Sequence, residues 1–317
     1  MKTINLLARV IRRTGVDLIK GVVVALVSIL GLVVGGVIAN LVGLPTPIVP
    51  SYINTTTLFP LLFISGIPMG IVLGECFQKL PFSYWQRVVT LLIGNYILYY
   101  LANTLDAFLY SPMTNLSTNI FSDLFPALFT ALVIALLWRP KAGTQTESWS
   151  SLLNKGRTLE GFAWRFVIAW LCYPPIYYLI GLLVSLFTKS YYEDPSHSLG
   201  LVLSPLWAIL LMQIPRGALF LLGVLPILLN WPGSRRIALW LWTGMVIFIQ
   251  IASSVLFQAY WLPPEVRIPH SFELFADSFI QAGLYVLLLV PLGKMIIDRA
   301  RNGHVQANNS QFGRMGK

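Results

Sequence analysis

Long apolar stretches with very few charges constrain this chain more than any other feature. They fall at residues 21–41, 58–78, 88–110, 122–138, 162–187, 199–231, 236–260 and 277–297. A helix needs about 20 apolar residues to cross a bilayer, and most of these stretches approach or exceed that length. Only 11% of the residues are charged, whereas a soluble domain has about 25%. The sequence therefore predicts an all-α, polytopic transmembrane bundle of about eight spans.

The basic residues predict the orientation of these spans. All but three of the 22 lysines and arginines lie before the first span, at the 2–3, 4–5 and 6–7 links, or after the last span. Because cytoplasmic segments are enriched in Lys and Arg, both termini are predicted to be cytoplasmic. The net charge of +10 does not indicate nucleic-acid binding, since these residues form no patch on a soluble domain.

Matching features in the two halves of the chain suggest an internal duplication. Ile67-Pro68-Met69-Gly70 matches Ile214-Pro215-Arg216-Gly217, and Asp123-Leu124-Phe125 matches Glu273-Leu274-Phe275. Four spans per half is an even number, so the two halves would form a parallel repeat. The alternative is an unrelated eight-helix bundle in which the prolines coincide by chance.

The predicted organisation has five parts. A basic amphipathic interfacial segment (1–20) precedes a first four-span half (21–138). A cytoplasmic linker (139–161) leads to the second four-span half (162–298), and a disordered cytoplasmic tail (299–317) follows. Small residues at Gly31, Gly35 and Gly36 in the first span are predicted to let another helix approach closely.

Two charged residues inside predicted spans are candidates for function, because charge is costly in a bilayer. Glu75 lies near the cytoplasmic end of the second span, and Arg216 lies deep in the sixth. One hypothesis is that they pair across the interface between the halves. The alternative is that Glu75 turns to the headgroups near Lys79 or Arg87. Arg216 would then snorkel or cap carbonyls that the proline leaves free.

Two polar stripes predict a cleft that opens away from the cytoplasm. Asn95, Tyr99, Asn103, Asp106 and Tyr110 share one face of the third span, within about 80° on a helical wheel. A second stripe runs along the seventh span. Such groups face protein or a water-filled cavity rather than lipid. The alternative is that they only hydrogen-bond helices together. The candidate binding residues are Glu75, Asn95, Tyr99, Asn103, Asp106, Arg216, Gln250, Ser254 and Gln258.

The sequence contains none of the catalytic or cofactor motifs considered. HExxH, GxSxG, CxxC and a phosphate-binding loop are all missing, so no catalytic residue and no cofactor is predicted. His197 and His270 fall in predicted outward links near acids but without ligand spacing, so no metal site is predicted. An enzyme is disfavoured. An intramembrane enzyme acting on lipid is kept only through Glu75, Asp106 and Arg216.

Two functional classes remain in competition. The first is a transporter or lipid-handling permease with a polar cleft between repeated halves. The second is a non-catalytic membrane subunit or assembly factor of a larger complex. Membrane lipids are expected partners, together with other membrane proteins or a second copy of the chain. The compact links favour a bacterial inner membrane or an equivalent organelle membrane.

Overall fold

Eight helices long and apolar enough to cross a membrane make up the computed structural model. The structure describes residues 2–45, 55–110, 115–140, 159–193, 204–232, 235–260 and 262–290, which contain no strand. This confirms the prediction of a helical integral membrane protein. The helices are α1 (Lys2–Leu41), α2 (Leu58–Phe77), α3 (Tyr84–Tyr110), α4 (Leu116–Leu137), α5 (Gly161–Glu193), α6 (Leu206–Asn230), α7 (Arg236–Phe257) and α8 (Pro264–Leu289).

Three prolines of the second and sixth spans lie inside continuous helices. Helix α2 passes through Pro68, and α6 passes through Pro215 and Pro226. At 1.5 Å per residue, the 25 residues of α6 cover about 38 Å, which a tilted span can accommodate. The long apolar stretch at 199–231 therefore needs no break within α6, because the helix begins only at Leu206.

Irregular turns occur in three other helices. Helix α3 contains a π-helical turn over Tyr96–Leu101, between regular segments Tyr84–Asn95 and Ala102–Tyr110. Helix α4 is interrupted at Asp123. Helix α5 is interrupted at Cys172, immediately before Tyr173 and the Pro174-Pro175 pair, where two missing N–H groups disfavour a continuous ladder of hydrogen bonds.

Two predicted boundaries differ from the observed ones. Helix α1 is continuous over 40 residues, so no break separates the predicted interfacial segment from the first span. Its position relative to the membrane surface stays a prediction. Helix α8 begins at Pro264 rather than at residue 277. Its start has Pro at the first helical position and Glu265 in the first turn, which are ordinary start signals that hydropathy does not register.

Glycines bring α1 against α4. A Cβ atom added at Gly35 would lie 2.2 Å from the carbonyl oxygen of Ser122, and one added at Gly31 would lie 2.4 Å from Cα of Pro126. These two glycines therefore allow the close helix contact that was predicted. Gly36 does not contribute, because no atom lies within 4 Å of its added Cβ.

Helices α2, α3, α6 and α7 form most of the packing between the two sequence halves. Helix α2 packs on α7, and α3 packs on α6. Ser253 of α7 donates a hydrogen bond to the carbonyl oxygen of Ser65 in α2, at 3.3 Å. Part of the packing between α3 and α6 is apolar, with Leu98 against Gly223 and with Leu98 and Val224 fully buried. Helices α1 and α4 complete the first half, and α5 and α8 complete the second.

Candidate functional site

A cavity of about 420 Å³ lies among α3, α5, α6, α7 and α8. It is formed by the ends of these helices that are predicted to face away from the cytoplasm. Helix α3 belongs to the first half of the chain and the other four belong to the second. Pockets for small molecules commonly measure about 300–1,000 Å³, so this cavity has the size of a ligand site.

An ion pair lies beside this cavity and joins the two halves. Nη1 of Arg216 in α6 is 2.8 Å from Oδ1 of Asp106 in α3. The Arg216 side chain is 2% exposed, whereas that of Asp106 is 22% exposed and lines the cavity. Nη1 of Arg216 also donates to Oε1 of Gln213, at 2.8 Å. Arg216 is thus a buried charge whose carboxylate partner comes from the other half of the chain.

Aromatic rings complete the surroundings of the Arg216 guanidinium. Its central carbon lies 5.5 Å from the ring centre of Phe220, 5.7 Å from that of Tyr177 and 6.0 Å from that of Tyr173. These distances suit cation–π attraction, which is strongest where water is excluded. The ring contacts and the ion pair together compensate part of the cost of burying this charge.

Helix α8 presents a line of polar side chains at intervals of three or four residues. Nδ1 of His270 and Oε2 of Glu273 are 2.9 Å apart. One turn further along the helix, Asp277 is 4% exposed, and neither of its carboxylate oxygens has a hydrogen-bond partner among the described residues. Gln281 then donates to the hydroxyl of Tyr285. His270 and Glu273 line the cavity, and the polar line continues from them into the bundle.

Carboxylates outnumber basic groups at the inner side of the cavity. Asp277 interacts electrostatically with Glu273, Arg216 and His270. With Asp106, this makes three carboxylates against one arginine and one histidine. Lys189 also lines the cavity, but its side chain is 63% exposed and lies 3.5 Å from Glu193. Among the described residues, the buried part of the site therefore holds more carboxyl groups than basic groups.

Four tyrosines from α3 and α5 supply an aromatic wall. The hydroxyls of Tyr110 and Tyr177 are 2.9 Å apart, and the ring centres of Tyr110 and Tyr192 are 6.1 Å apart. Tyr178 completes the set that lines the cavity. Gly181 lies between these tyrosines along α5, and its added Cβ would be 3.1 Å from Oε1 of Glu273. The glycine thus lets the Glu273 carboxylate lie close to the α5 backbone.

The structure brings part of the two predicted polar stripes together. Asn103, Asp106, Ser254 and Gln258 all line the cavity. The Ser254 hydroxyl donates to Oδ1 of Asn103, at 3.4 Å, and this bond links the stripe on α3 to that on α7. Arg216 lies directly behind Asp106. The binding role of these residues stays a prediction, but their grouping supports it.

Three other stripe residues lie deeper in the bundle and do not line the cavity. Asn95 is 2% exposed and Gln250 is 1% exposed. Tyr99 lies close to Ser65 of α2. The π-helical turn explains part of this separation, because its wider turn changes the rotation of the residues that precede it relative to those that follow it. A regular helical wheel, which assumes 100° per residue throughout, does not include that change.

The proposed pairing of Glu75 with Arg216 is wrong. Oε2 of Glu75 lies 2.6 Å from Nη2 of Arg13 and 3.4 Å from Nζ of Lys79. The alternative interpretation placed Glu75 at the headgroups near Lys79 or Arg87, and the structure does place Glu75 near Lys79. Its contact with Arg13 was not anticipated. Glu75 therefore belongs to a charge cluster at the end of α2 near Phe77, whereas Arg216 pairs with Asp106.

Sequence reasoning missed the contribution of α8 and of the α5 tyrosines. Glu273 and His270 were assigned to an outward link, because the hydropathy of residues 264–276 is too low for an obvious span. The spacing of His270, Glu273, Asp277, Gln281 and Tyr285 was the available signal. These intervals place all five on one face of a helix. His197 lies outside the described residues.

Within the described part of the chain, no group of three or more His, Cys, Asp or Glu side chains is arranged to hold a metal ion. No family model, curated protein or solved structure matches the chain. The class of this protein is therefore defined only by its fold and its cavity. The chain is an integral membrane protein with eight candidate spans and a polar, tyrosine-lined internal site.

Proposed function

We propose that the protein is a transporter or lipid-handling permease and that the cavity is its substrate site. The observation that carries this proposal is the cavity itself, whose wall includes α3 from one half and four helices from the other. The Asp106–Arg216 pair, at 2.8 Å, joins these halves beside the site. Binding sites between two repeated halves are typical of secondary transporters.

Tight apolar packing closes the bundle on the cytoplasmic side of the cavity. Leu98, Phe220, Leu221 and Val224 are fully buried there. A Cβ added at Gly223 would lie 2.5 Å from Cγ of Leu98, so α3 and α6 are in direct contact. In a carrier this arrangement corresponds to a state that is open outward and closed inward. Substrate transfer then requires a second state in which α3 and α6 separate below the ion pair.

The helix contacts support the parallel 4+4 repeat, with both termini cytoplasmic, that forms part of this proposal. The contact of α2 with α7 corresponds under the repeat to that of α6 with α3. The matched glycines also correspond. An added Cβ at Gly70 would meet Val24 of α1, and one at Gly217 would meet Tyr173 of α5. Each glycine therefore packs its helix against the first helix of its own half.

Membrane lipids are the partners we infer for the outer surface. Leu179, Leu183, Leu186 and Phe187 of α5 are all more than half exposed, as expected for a lipid-facing helix. We infer a bacterial inner membrane or an equivalent organelle membrane from the compact links. A non-catalytic subunit of a larger complex is the alternative, and in that case the cavity has no need to change its accessibility.

Accessibility of the cavity from the two sides of the membrane tests the transport proposal. Ser254→Cys is made in a Cys76→Ala/Cys172→Ala background and labelled with a membrane-impermeant thiol reagent in right-side-out and inside-out vesicles. We expect labelling of Ser254→Cys mainly from the outside. Adding Asp106→Asn should increase its labelling from the inside, because the substitution weakens the pair that joins α3 to α6.

Ser117→Cys, at an exposed position near the outer end of α4, is the matched control and should react only from the outside. If Ser254→Cys reacts from one side only, with and without Asp106→Asn, the cavity does not alternate and the carrier proposal fails. The static-subunit interpretation then takes its place.

A further inference from the structure

We infer that the cavity binds amphipathic organic cations. This inference deepens the proposed function, since it names the substrate class of the same site. Three features of the site carry it. They are a larger number of buried carboxyl groups than of basic groups among the described residues, a wall of tyrosine rings and an apolar stretch of the lining.

The charge balance favours a cation. Asp106 is neutralised by Arg216 at 2.8 Å, and Lys189 at the rim is matched by Glu193 at 3.5 Å. Among the described residues, Glu273 and Asp277 then remain with His270. Glu273 is the acid of this group that lines the cavity, and its partner is the His270 imidazole, at 2.9 Å. A positively charged ligand beside Glu273 would serve as counter-ion to its carboxylate in place of the imidazolium.

Arg216, the one buried arginine at the site in the described part of the chain, is poorly placed to bind an anion instead. Its guanidinium is 2% exposed and already contacts Asp106 and Gln213. An anionic ligand would have to displace Asp106 and leave that carboxylate without its partner, which is costly in a buried setting. Glu273, in contrast, lines the cavity directly.

The aromatic wall matches the same chemistry. Ring faces attract cations, and clusters of tyrosine and tryptophan are the usual means by which proteins bind quaternary ammonium groups. Tyr110, Tyr177, Tyr178 and Tyr192 all line the cavity on the side of α3 and α5. Five apolar residues of the lining suit the hydrocarbon part of an amphipathic molecule. They are Leu206, Ile209, Ile251, Leu262 and Val266.

Two ions of nearly identical shape and opposite charge test this inference. Tetraphenylphosphonium and tetraphenylborate are each measured by equilibrium dialysis against the full-length protein in detergent, with protein-free micelles as the blank. We expect saturable binding of the phosphonium, and binding of the borate at least tenfold weaker. Equal binding of both ions, preference for the borate, or no saturable phosphonium binding would each overturn the inference.

Matched variants locate the binding. Glu273→Gln should weaken phosphonium binding by about tenfold or more, which corresponds to about 1.4 kcal/mol or more. Glu265→Gln removes the same charge from the same helix at an exposed position outside the cavity, and should leave binding unchanged. Tyr192→Leu should weaken binding, whereas Tyr192→Phe keeps the ring face and should not. Thermal unfolding of each variant in detergent confirms that it is folded.

Equal affinity in Glu273→Gln and Glu265→Gln would place the ion outside this cavity and contradict the inference. Binding and alternating accessibility are separate readouts. A cavity that binds the phosphonium but never becomes accessible from the inside would refute transport and retain the cation site. A cavity that becomes accessible from both sides but prefers the borate would retain the transport proposal and refute the cation site.

Discussion

At the scale of single residues, the two charge clusters of this protein differ in the exposure of their side chains. Arg216 and Asp106 form a pair inside the bundle, with side-chain exposures of 2% and 22%. Arg13, which pairs with Glu75, is 65% exposed. Glu75 itself is 15% exposed, so the pairs differ mainly in their cations. Solvent reaches the guanidinium of Arg13 and is excluded from that of Arg216, so removing one member has different consequences at the two sites.

Asp106→Asn should lower the free energy of unfolding by about 3 kcal/mol, because it leaves Arg216 buried without its carboxylate. The partial exposure of Asp106 favours the lower end of the usual range. Thermal unfolding in detergent measures the effect. The double variant Asp106→Asn/Arg216→Met should be less destabilised than Asp106→Asn alone. If the double variant lost as much free energy of unfolding as Asp106→Asn or more, the unpaired charge of Arg216 would not be the cause of the destabilisation.

Arg13→Ala should change the free energy of unfolding by less than about 1 kcal/mol. Arg13 is largely exposed, and Glu75 keeps a second partner in Lys79, at 3.4 Å. The same thermal measurement applies, with Asp106→Asn as the comparison. A loss for Arg13→Ala as large as that for Asp106→Asn would show that Glu75 is less accessible to solvent than its surroundings indicate.

At the scale of helices, close contacts depend on the few positions occupied by glycine, which has no side chain. Glycine at the α1–α4 contact was predictable from the sequence, because small residues at regular spacing are typical of close helix pairs in membranes. The sequence did not distinguish Gly35 from Gly36, which are adjacent in α1. The direction of the neighbouring helix distinguishes them, and Gly35 is the one that faces the Ser122 carbonyl.

Gly35→Ala should destabilise the protein by about 1–3 kcal/mol, because its Cβ would lie 2.2 Å from a backbone oxygen and α1 must move to relieve the overlap. Gly36→Ala is the matched control. It has open space around it, so the better helix propensity of alanine should make it neutral or stabilising by up to about 1 kcal/mol. Thermal unfolding of both variants decides the point, and equal destabilisation would rule out the α1–α4 contact as the cause.

The polar stripe of α3 shows what regular helical periodicity predicts correctly and what it does not. A regular helical wheel correctly grouped Asn103 with Asp106, and both line the cavity. It also placed Asn95 with them, although the π-helical turn at Tyr96–Leu101 lies between. A π-helical turn inside a helix depends on its packing, and the stripe itself gives no sign of it.

The arrangement of charge at the scale of the whole molecule predicts its orientation. Basic residues concentrate on the side of both termini and of the 2–3, 4–5 and 6–7 links, and this side is expected to be cytoplasmic. In intact cells, an impermeant maleimide should label Ser117→Cys and should not label Thr144→Cys in the 4–5 link. Both should react after permeabilisation. Labelling of Thr144→Cys alone in intact cells would reverse the orientation.

What the sequence by itself determined is the number of spans and the presence of polar faces in α3 and α7. Both follow from local composition, because the transfer of a helix into lipid depends mainly on its own length and side chains. Only the tertiary structure decided that Arg216 meets Asp106 rather than Glu75, and that Glu273 and the α5 tyrosines join the same cavity. Such contacts depend on the rotation and tilt of helices against their neighbours, which distant close-packed contacts determine.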